Sequence, residues 1–360
     1  MAGNVLVTGA GGRLGAGVAR SLAAHTEVGR VIGLDVTAPL VSLGAADFVR
    51  SDVRHPVVGR LLDQADIDTV VHLALSTRPL GGQARAAQKE TNVVGTMQLL
   101  AACQQSHRLR RIVMRSSGEV YGSSAQDPAV FTEDLVIPRG RAVGAVRDVL
   151  DAEGYLRAVL RRRPDLEWTT LRLAHVVGSQ MSSRLLDYLA LPVVPVPMGY
   201  DARLQFLHED DAVAAVVQAV VGPPVGAVNV AAPGVVTVSQ AAALTGRVCL
   251  ALPATAGASM HQALAWGRRI GLAGPVVASP TDLAFLRHGR VLDHSAIQER
   301  LGFLPTRDTR HAFLEAATAF PAPPYGTVTR RWRRWSADLM SNVDARLRSR
   351  EEVRDGQPIR

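Results

Sequence analysis

The chain has 360 residues, 47% of them hydrophobic and 20% charged, with a net charge of +8. That length carries one large α/β domain and a smaller lobe, and the composition excludes a disordered or fibrous chain. Two cysteines, Cys103 and Cys249, with no CxxC spacing exclude a disulfide framework or structural zinc site and fit a reducing cytoplasm.

In chain order, Val5-Leu6-Val7 is a short apolar run ending in Thr8-Gly9, the pattern of a buried parallel strand entering a turn. It begins at Asn4, so no secretory leader is expected. Leu14 to Ala24 reads as a helix, Val31 to Leu34 as a second strand closed by Asp35, and Ala46 to Arg50 as a third. Thr69 to Leu73 is the fourth, followed by a long helical segment over Gln83 to Gln105 and a strand at Arg111 to Arg115. A helix over Val146 to Arg163 then precedes a strand at Trp168 to Leu173. Strands and helices alternating at this spacing predict a parallel, doubly wound Rossmann-type sheet, with ligands at the loops after the strands.

Beyond His175 the regularity weakens. Leu191 to Met198 holds three prolines and reads as a loop or edge; Asp210 to Val221 is a helix and Gly226 to Val230 a strand. Ser239 is expected to cap a helix over Gln240 to Thr245, and Ala251 to Pro280 carries no assignable pattern. Ala212 to Gly246 has no charged residue, yet its prolines and glycines break it short of the ~20 apolar residues a membrane span needs. The expected organisation is a cofactor domain over 1–175, a substrate-binding lobe over 176–322 with strands free to return to the main sheet, and a basic tail over 323–360.

From Gly326 to Arg360 nine arginines face five acidic residues, which is half the net charge. The body is therefore only mildly basic, and no nucleic-acid groove is expected. Trp332, Trp335, Leu339, Val343 and Leu347 recur at helical spacing among those arginines. Such a helix either touches an anionic membrane surface or docks on its own domain, since both need the same apolar stripe. The expected location is cytoplasmic, peripheral at the inner membrane surface only if the tail takes the first of these two roles.

Thr8-Gly9-Ala10-Gly11-Gly12-Arg13-Leu14-Gly15 follows the first strand and opens the first helix. Gly9 suits the tight turn, Gly12 lets backbone approach a pyrophosphate, and Gly15 lets the helix pack on the sheet, with helix N–H groups offered to the phosphates. Asp35, at the end of the second strand, suits the adenosine ribose 2′-hydroxyl and repels a 2′-phosphate, which predicts NAD rather than NADP. Asp52 suits the adenine amino group.

With these residues the chain resembles the extended short-chain dehydrogenase/reductase family, in its NAD-dependent sugar epimerase/dehydratase branch, over roughly residues 3 to 318. Thr8 to Gly15 is similar to the family's glycine motif, Asp52-Val53 to its adenine-contacting pair, and Val71-His72-Leu73-Ala74 to its fourth-strand motif beside the cofactor. Asn92 to Thr96 resembles the helix segment whose asparagine supports the active site, and Ser116 to Gly122 the serine motif, in which the residue at Ser117 polarises the substrate. Leu171 to Gly178, Phe206 to Ala212 and Leu301 to Pro305 resemble later landmarks. The resemblance implies NAD, a small-molecule substrate such as a nucleotide sugar, and a homodimer through the helices over 83–105 and 146–163.

One departure is decisive. The family's Tyr-x-x-x-Lys pair moves the proton during hydride transfer, the lysine lowering the tyrosine pKa. Here the single lysine, Lys89, has Arg85 four residues before it. Counting from the serine motif puts the pair near Val143 and Arg147, where Arg147 retains the capacity to hydrogen-bond a ribose but keeps its proton, and valine transfers nothing. Glu119 sits where sugar dehydratases carry a carboxylate base, though their neighbouring acid is Gly118 here; Tyr121 is a candidate displaced phenol, although the family's tyrosine at this place is mainly structural. Ser117, Glu119 and Tyr121 are therefore the catalytic candidates. His72 and His175 read first as core histidines. His208 with Asp210 and Asp211 looks like a metal cluster, but a helix start already explains the acids, and no metal is expected. The implied function is an oxidoreductase or isomerase acting on a nucleotide sugar or related polyol with altered acid–base residues; the alternative is a non-catalytic NAD-binding sensor or scaffold.

Overall fold

The apolar runs form strands whose side chains are buried on both faces, as a parallel sheet covered by helices requires. The computed structural model describes residues 3–77, 82–137, 142–181, 183–252 and 280–322. The first half runs β1 (Asn4–Thr8), α1 (Arg13–Ala23), β2 (Val31–Asp35), β3 (Asp47–Arg50), α2 (Val57–Gln64) and β4 (Ile67–His72). Then come α3 (Gly82–Lys89), a π-helical segment over Glu90–Gly95, and α4 (Thr96–Gln105). The first half ends with β5 (Arg111–Ser117), a 3₁₀ turn over Gly118–Tyr121, α5 (Gly144–Leu160) and β6 (Glu167–Leu173).

The second half runs β7 (His175–Val177), α6 (Arg184–Leu189), β8 (Val193–Pro197), β9 (Arg203–Leu204), β10 (Phe206–His208) and α7 (Glu209–Val221). It continues through β11 (Gly226–Val230), β12 (Val236–Thr237), α8 (Val238–Leu244) and β13 (Val248–Leu252), with later helices at Pro280–His288, Ser295–Leu301 and Thr309–Ala317.

Seven strands form one sheet in the order β11-β6-β5-β4-β1-β2-β3, every neighbouring pair parallel. Chain order reverses between β1 and β4, and that crevice is where an open α/β sheet binds its ligand. On one face α2, α4 and α5 bury Leu62, Leu99, Leu100 and Val149 against Leu6, Val70 and Met114. On the other, α1 and α7 bury Val18, Leu22, Val216 and Val220 against Val5, Val7 and Val113. A third cluster around Phe206, Leu189, Ala241 and Phe313 forms the second lobe.

Several expectations shift here. The lobe after His175 does return a strand to the main sheet, as its sequence left open: β11 pairs with β6, and α7 packs on α1. The long helix over 83–105 is interrupted by the π turn. Ser239 is not the cap of α8. Thr237 is, its hydroxyl accepting from the Gln240 N–H while the Gln240 side chain accepts from the Thr237 N–H; Ser239 donates instead to Asp201. The proline-rich run is an edge strand, β8, paired with β13. Most of 251–280 and the whole basic tail lie outside the described residues. No described helix is long and apolar enough to cross a membrane.

His72 ties two elements together. Fully buried, its Nδ1 lies 2.7 Å from Thr8 Oγ1 and its Nε2 2.8 Å from Thr96 Oγ1. Burial pushes the imidazole down from 6.5 to about 4, so it folds as a neutral core histidine. Below the unfolded value the unfolded chain binds the extra proton, so stability falls as pH drops from 6.5 towards 4. At ~1.4 kcal/mol per pH unit this amounts to about 3 kcal/mol. The fall in chemical-denaturation midpoint across that window is expected to shrink in His72→Gln; an equal slope in both proteins would refute the assignment.

Candidate active site

The glycine loop has the shape its sequence requires. Gly9 has φ +80°, and a Cβ there would stand 2.8 Å from the Ala74 nitrogen and 2.9 Å from the Leu73 carbonyl carbon, so the loop rests on the end of β4. A Cβ on Gly15 would stand 2.0 Å from the Gly9 carbonyl oxygen, which fixes how closely α1 meets β1. Gly12 caps α1 with no side-chain bond, and around its Cβ direction only the Gly9 oxygen comes within 4 Å, at 3.6 Å. That open cradle at a helix N-terminus fits a pyrophosphate.

Asp35 is positioned by the same loop: Oδ2 accepts from the Gly11 N–H at 3.0 Å and Oδ1 from the Thr37 N–H and hydroxyl at 3.0 and 3.1 Å. Arg13 donates to Gln180 Oε1 at 2.6 Å across the cleft, and with Leu14 it lines a cavity of about 330 Å³ whose opposite wall is Glu209, Asp210 and Val213. Leu73 and Val53 are buried, Leu73 against Gly9 and Val53 against Gly95. Asp52 is held by its neighbour: Arg54 gives it a backbone bond at 2.8 Å and a guanidinium bond at 2.7 Å, and reaches Glu90 at 2.6 Å. The Arg54 hydrogen bond outweighs burial and keeps the Asp52 carboxyl below its usual range. Asp52 is thus a carboxylate already shared with an arginine.

Asn92, in the π turn, is buried and clamps the loop after β4, accepting from the Ser76 N–H at 3.1 Å and donating to the Ser76 carbonyl at 2.8 Å. Arg147 bonds Asp151 one turn along α5 at 3.1 Å, and Val143 caps that helix with 55% exposure. The face of α5 turned to the serine strand is set by Glu153, which accepts from Ser116 Oγ at 2.6 Å. One and two turns towards the sheet's ligand edge on that face stand Val149 and Ala145, both buried. The face of α5 turned to the serine strand thus carries Ala145 and Val149 rather than Val143 and Arg147. No tyrosine or lysine stands at either register.

Ser117 ends β5 and caps the 3₁₀ turn, its Oγ accepting from the Glu119 N–H at 3.2 Å. Ser117 and Glu119 line one small cavity with His175, Gln205, Arg290 and Leu292. Burial pushes the Glu119 carboxyl up, against the lowering effects of Arg290, a Thr77 hydrogen bond and Arg115. Gly118 offers no second acid, and Leu292 occupies that space, with Cδ1 2.8 Å from where a Cβ would stand.

Tyr121 is a correction. Its ring is buried against Phe131, and its hydroxyl donates to Asn229 at 2.9 Å while accepting from Arg172 at 2.9 Å. A phenol so engaged belongs to the core under the sheet. His175, read from sequence as a core histidine, differs from His72: its Nε2 is buried without a hydrogen-bond partner among the described residues, and its Nδ1 faces Glu119 Oε1 at 4.0 Å. Sequence reasoning passed over Arg290 as well. The His208 group is structural: its ring accepts from the Asp210 N–H to cap α7, and Asp211 accepts from Thr306 and Arg307.

The profile of the NAD dependent epimerase/dehydratase family matches residues 5–231. This chain belongs to the NAD-dependent epimerase/dehydratase family. It is an NAD-dependent enzyme, and the cradle at Gly12 with Asp35 beyond it fits that cofactor. An uncharacterized protein of Mycobacterium tuberculosis is 40% identical over 313 residues, covering 86% of this chain and 82% of its own. Among solved structures, UDP-glucose 4-epimerase of Thermotoga maritima with UDP-glucose is similar with a TM-score of 0.66 at 19% identity, over 88% of this chain and 98% of that one. UDP-glucuronic acid 4-epimerase of Bacillus cereus with UDP-glucuronic acid and NAD matches with the same score, identity and coverage. At such identities the likeness is one of fold.

Proposed function

We propose that this family member passes a hydride between the sugar of a nucleotide sugar and NAD, as an oxidoreductase or isomerase without a Tyr–Lys pair. The observation that carries the reading is the cavity at the end of β5, where Ser117 and Glu119 face one space. Ser117 polarises the reacting oxygen and Glu119 receives its proton, a buried carboxyl with a raised pKa being suited to both giving and taking it. NAD supplies the hydride acceptor when bound. Elimination in the manner of a sugar dehydratase is disfavoured because Leu292 fills the place of a second acid. Nucleotide sugars are the substrate class because the structural neighbours are complexes with UDP-sugars.

Reduction of bound NAD, followed by absorbance over a panel of nucleotide sugars, tests this. At least one substrate is expected to turn over, and failure of all of them favours a non-catalytic NAD-binding sensor. The second reading has its own support: the half-open space beside Ser117 is narrow, about 10 Å³, room for about one water. A sugar enters only if the lining side chains move.

Cofactor choice is a separate expectation. Asp35 offers a fixed carboxylate to a ribose diol and repels a 2′-phosphate. The enzyme is expected to bind NAD more tightly than NADP, and Asp35→Ala to weaken NAD roughly tenfold to a hundredfold, the worth of one charged hydrogen bond. Calorimetry with both cofactors measures it; equal affinities in the parent would refute it.

A further inference from the structure

His175 completes the cavity wall that Ser117 and Glu119 begin. As the first residue of β7, paired in register with Phe206 of β10, it has a fixed backbone, and Phe285 meets its ring edge-on at 5.2 Å. One ring nitrogen, Nδ1, faces Glu119 Oε1 at 4.0 Å, while the other, Nε2, is buried with no hydrogen-bond partner among the described residues. A buried imidazole nitrogen without a partner is costly unless a ligand atom satisfies it.

We propose that His175 exchanges the proton with the substrate through Nε2, and that Glu119, reached through Nδ1, is where that proton is stored. The proposal rests on the hydride-transfer reading above. In the oxidising direction the substrate O–H bond breaks and its proton bonds to Nε2, while the proton on Nδ1 leaves for the Glu119 carboxylate. The C–H electron pair departs as hydride to NAD⁺, so the carbinol is oxidised to a ketone and NAD⁺ is reduced to NADH. The imidazole ends neutral in its other tautomer, and only Glu119 changes charge. The 4.0 Å separation is longer than a hydrogen bond, as catalytic contacts often are before substrate binds.

The surrounding charges suit a relay that never makes the ring cationic. Burial and the Arg290 charge push His175 down to about 3, with Asp282 opposing them weakly. Burial pushes Glu119 up, with Arg290 and Arg115 facing it and Asp282 nearby. A protonated His175 is thus unfavourable, whereas a neutral one accepts on one nitrogen as it releases from the other.

Two measurements on the full protein with bound NAD decide the matter. Nitrogen NMR of labelled histidine is expected to show His175 neutral at pH 6, where an ordinary histidine is largely charged. It is also expected to be an Nδ1–H tautomer that converts to Nε2–H as Glu119 protonates, a conversion absent in Glu119→Gln. A cationic His175 at pH 6, or one tautomer throughout, overturns the proposal without needing any substrate. With a nucleotide sugar that reduces NAD in the parent, His175→Gln is expected to slow reduction by ~10²–10⁴-fold at unchanged NAD affinity. A rate near the parent's overturns it. Failure of every sugar in the parent refutes the hydride-transfer reading instead, and the tautomer measurement still decides the coupling between His175 and Glu119.

Discussion

Glu119→Gln is expected to slow reduction of bound NAD by about 10²–10⁴-fold, the usual loss when a positioned acid–base group is removed. Glutamine keeps the shape and the capacity to accept from Thr77 but holds no exchangeable charge. In the oxidising direction the parent rate needs the ionised carboxylate, so it is expected to fall as pH drops through the Glu119 pKa. Burial has moved that pKa above the ordinary carboxyl range. Ser117→Ala is expected to lose rate without moving this pH limb, since serine supplies a hydrogen bond and not a titrating group. Tyr121→Phe is expected to show its effect in stability, about 1–3 kcal/mol, because the partner groups on Asn229 and Arg172 stay buried. Single-turnover rates against pH for the three variants check the set. A Glu119→Gln rate equal to the parent's would show that the proton leaves by another route.

The largest effect on folding is expected at Arg172→Met. Arg172 and Glu153 have side chains 6% and 3% exposed, joined by bonds of 2.8 and 3.1 Å. Burial pushes the Glu153 carboxyl up, but Arg172, Ser116 and Arg157 together hold it below its usual value. Removing the guanidinium leaves a buried carboxylate with one half-exposed cation, Arg157, and the serine. Breaking one side of a buried pair costs about 3–5 kcal/mol. The double variant Arg172→Met with Glu153→Leu is expected to lose much less than the two single losses combined, because no charge remains to desolvate. Denaturant titration of the three variants measures this, and additive losses would show that the pair does not act as a unit.

How much of this was readable from sequence depends on distance along the chain. The cofactor loop was legible because its logic is local: β1, Gly9, Gly12, Gly15 and α1 are consecutive, and Asp35 closes the next strand. The order of strands and helices likewise named every strand of the main sheet, the inner ones because strands buried on both faces read as apolar runs, and the edge strand β3 by its place in that alternation.

Tyr121 was misleading because a 3₁₀ turn has three residues per turn, so Glu119 and Tyr121, two apart, point about 120° from each other. One faces the cavity and the other the core. Which face of α5 meets the serine strand was not legible by counting from the serine motif; what sets it is the contact of Glu153 with Ser116 and Arg172, from two strands of the sheet.

The sequence by itself determined the fold class, the glycine loop that opens the first helix and the acid that closes the second strand; that no Tyr-x-x-x-Lys occurs is also read there, and matters only through the family resemblance. Only the tertiary structure decided that His175, Arg290 and Thr77 converge on Glu119, that Leu292 fills the place beside Gly118, and that β11 returns to the main sheet. These residues come from separate segments brought together by crossovers. A sequence records backbone propensity and periodicity over neighbouring residues, but side-chain approach across such crossovers is set by how the elements pack.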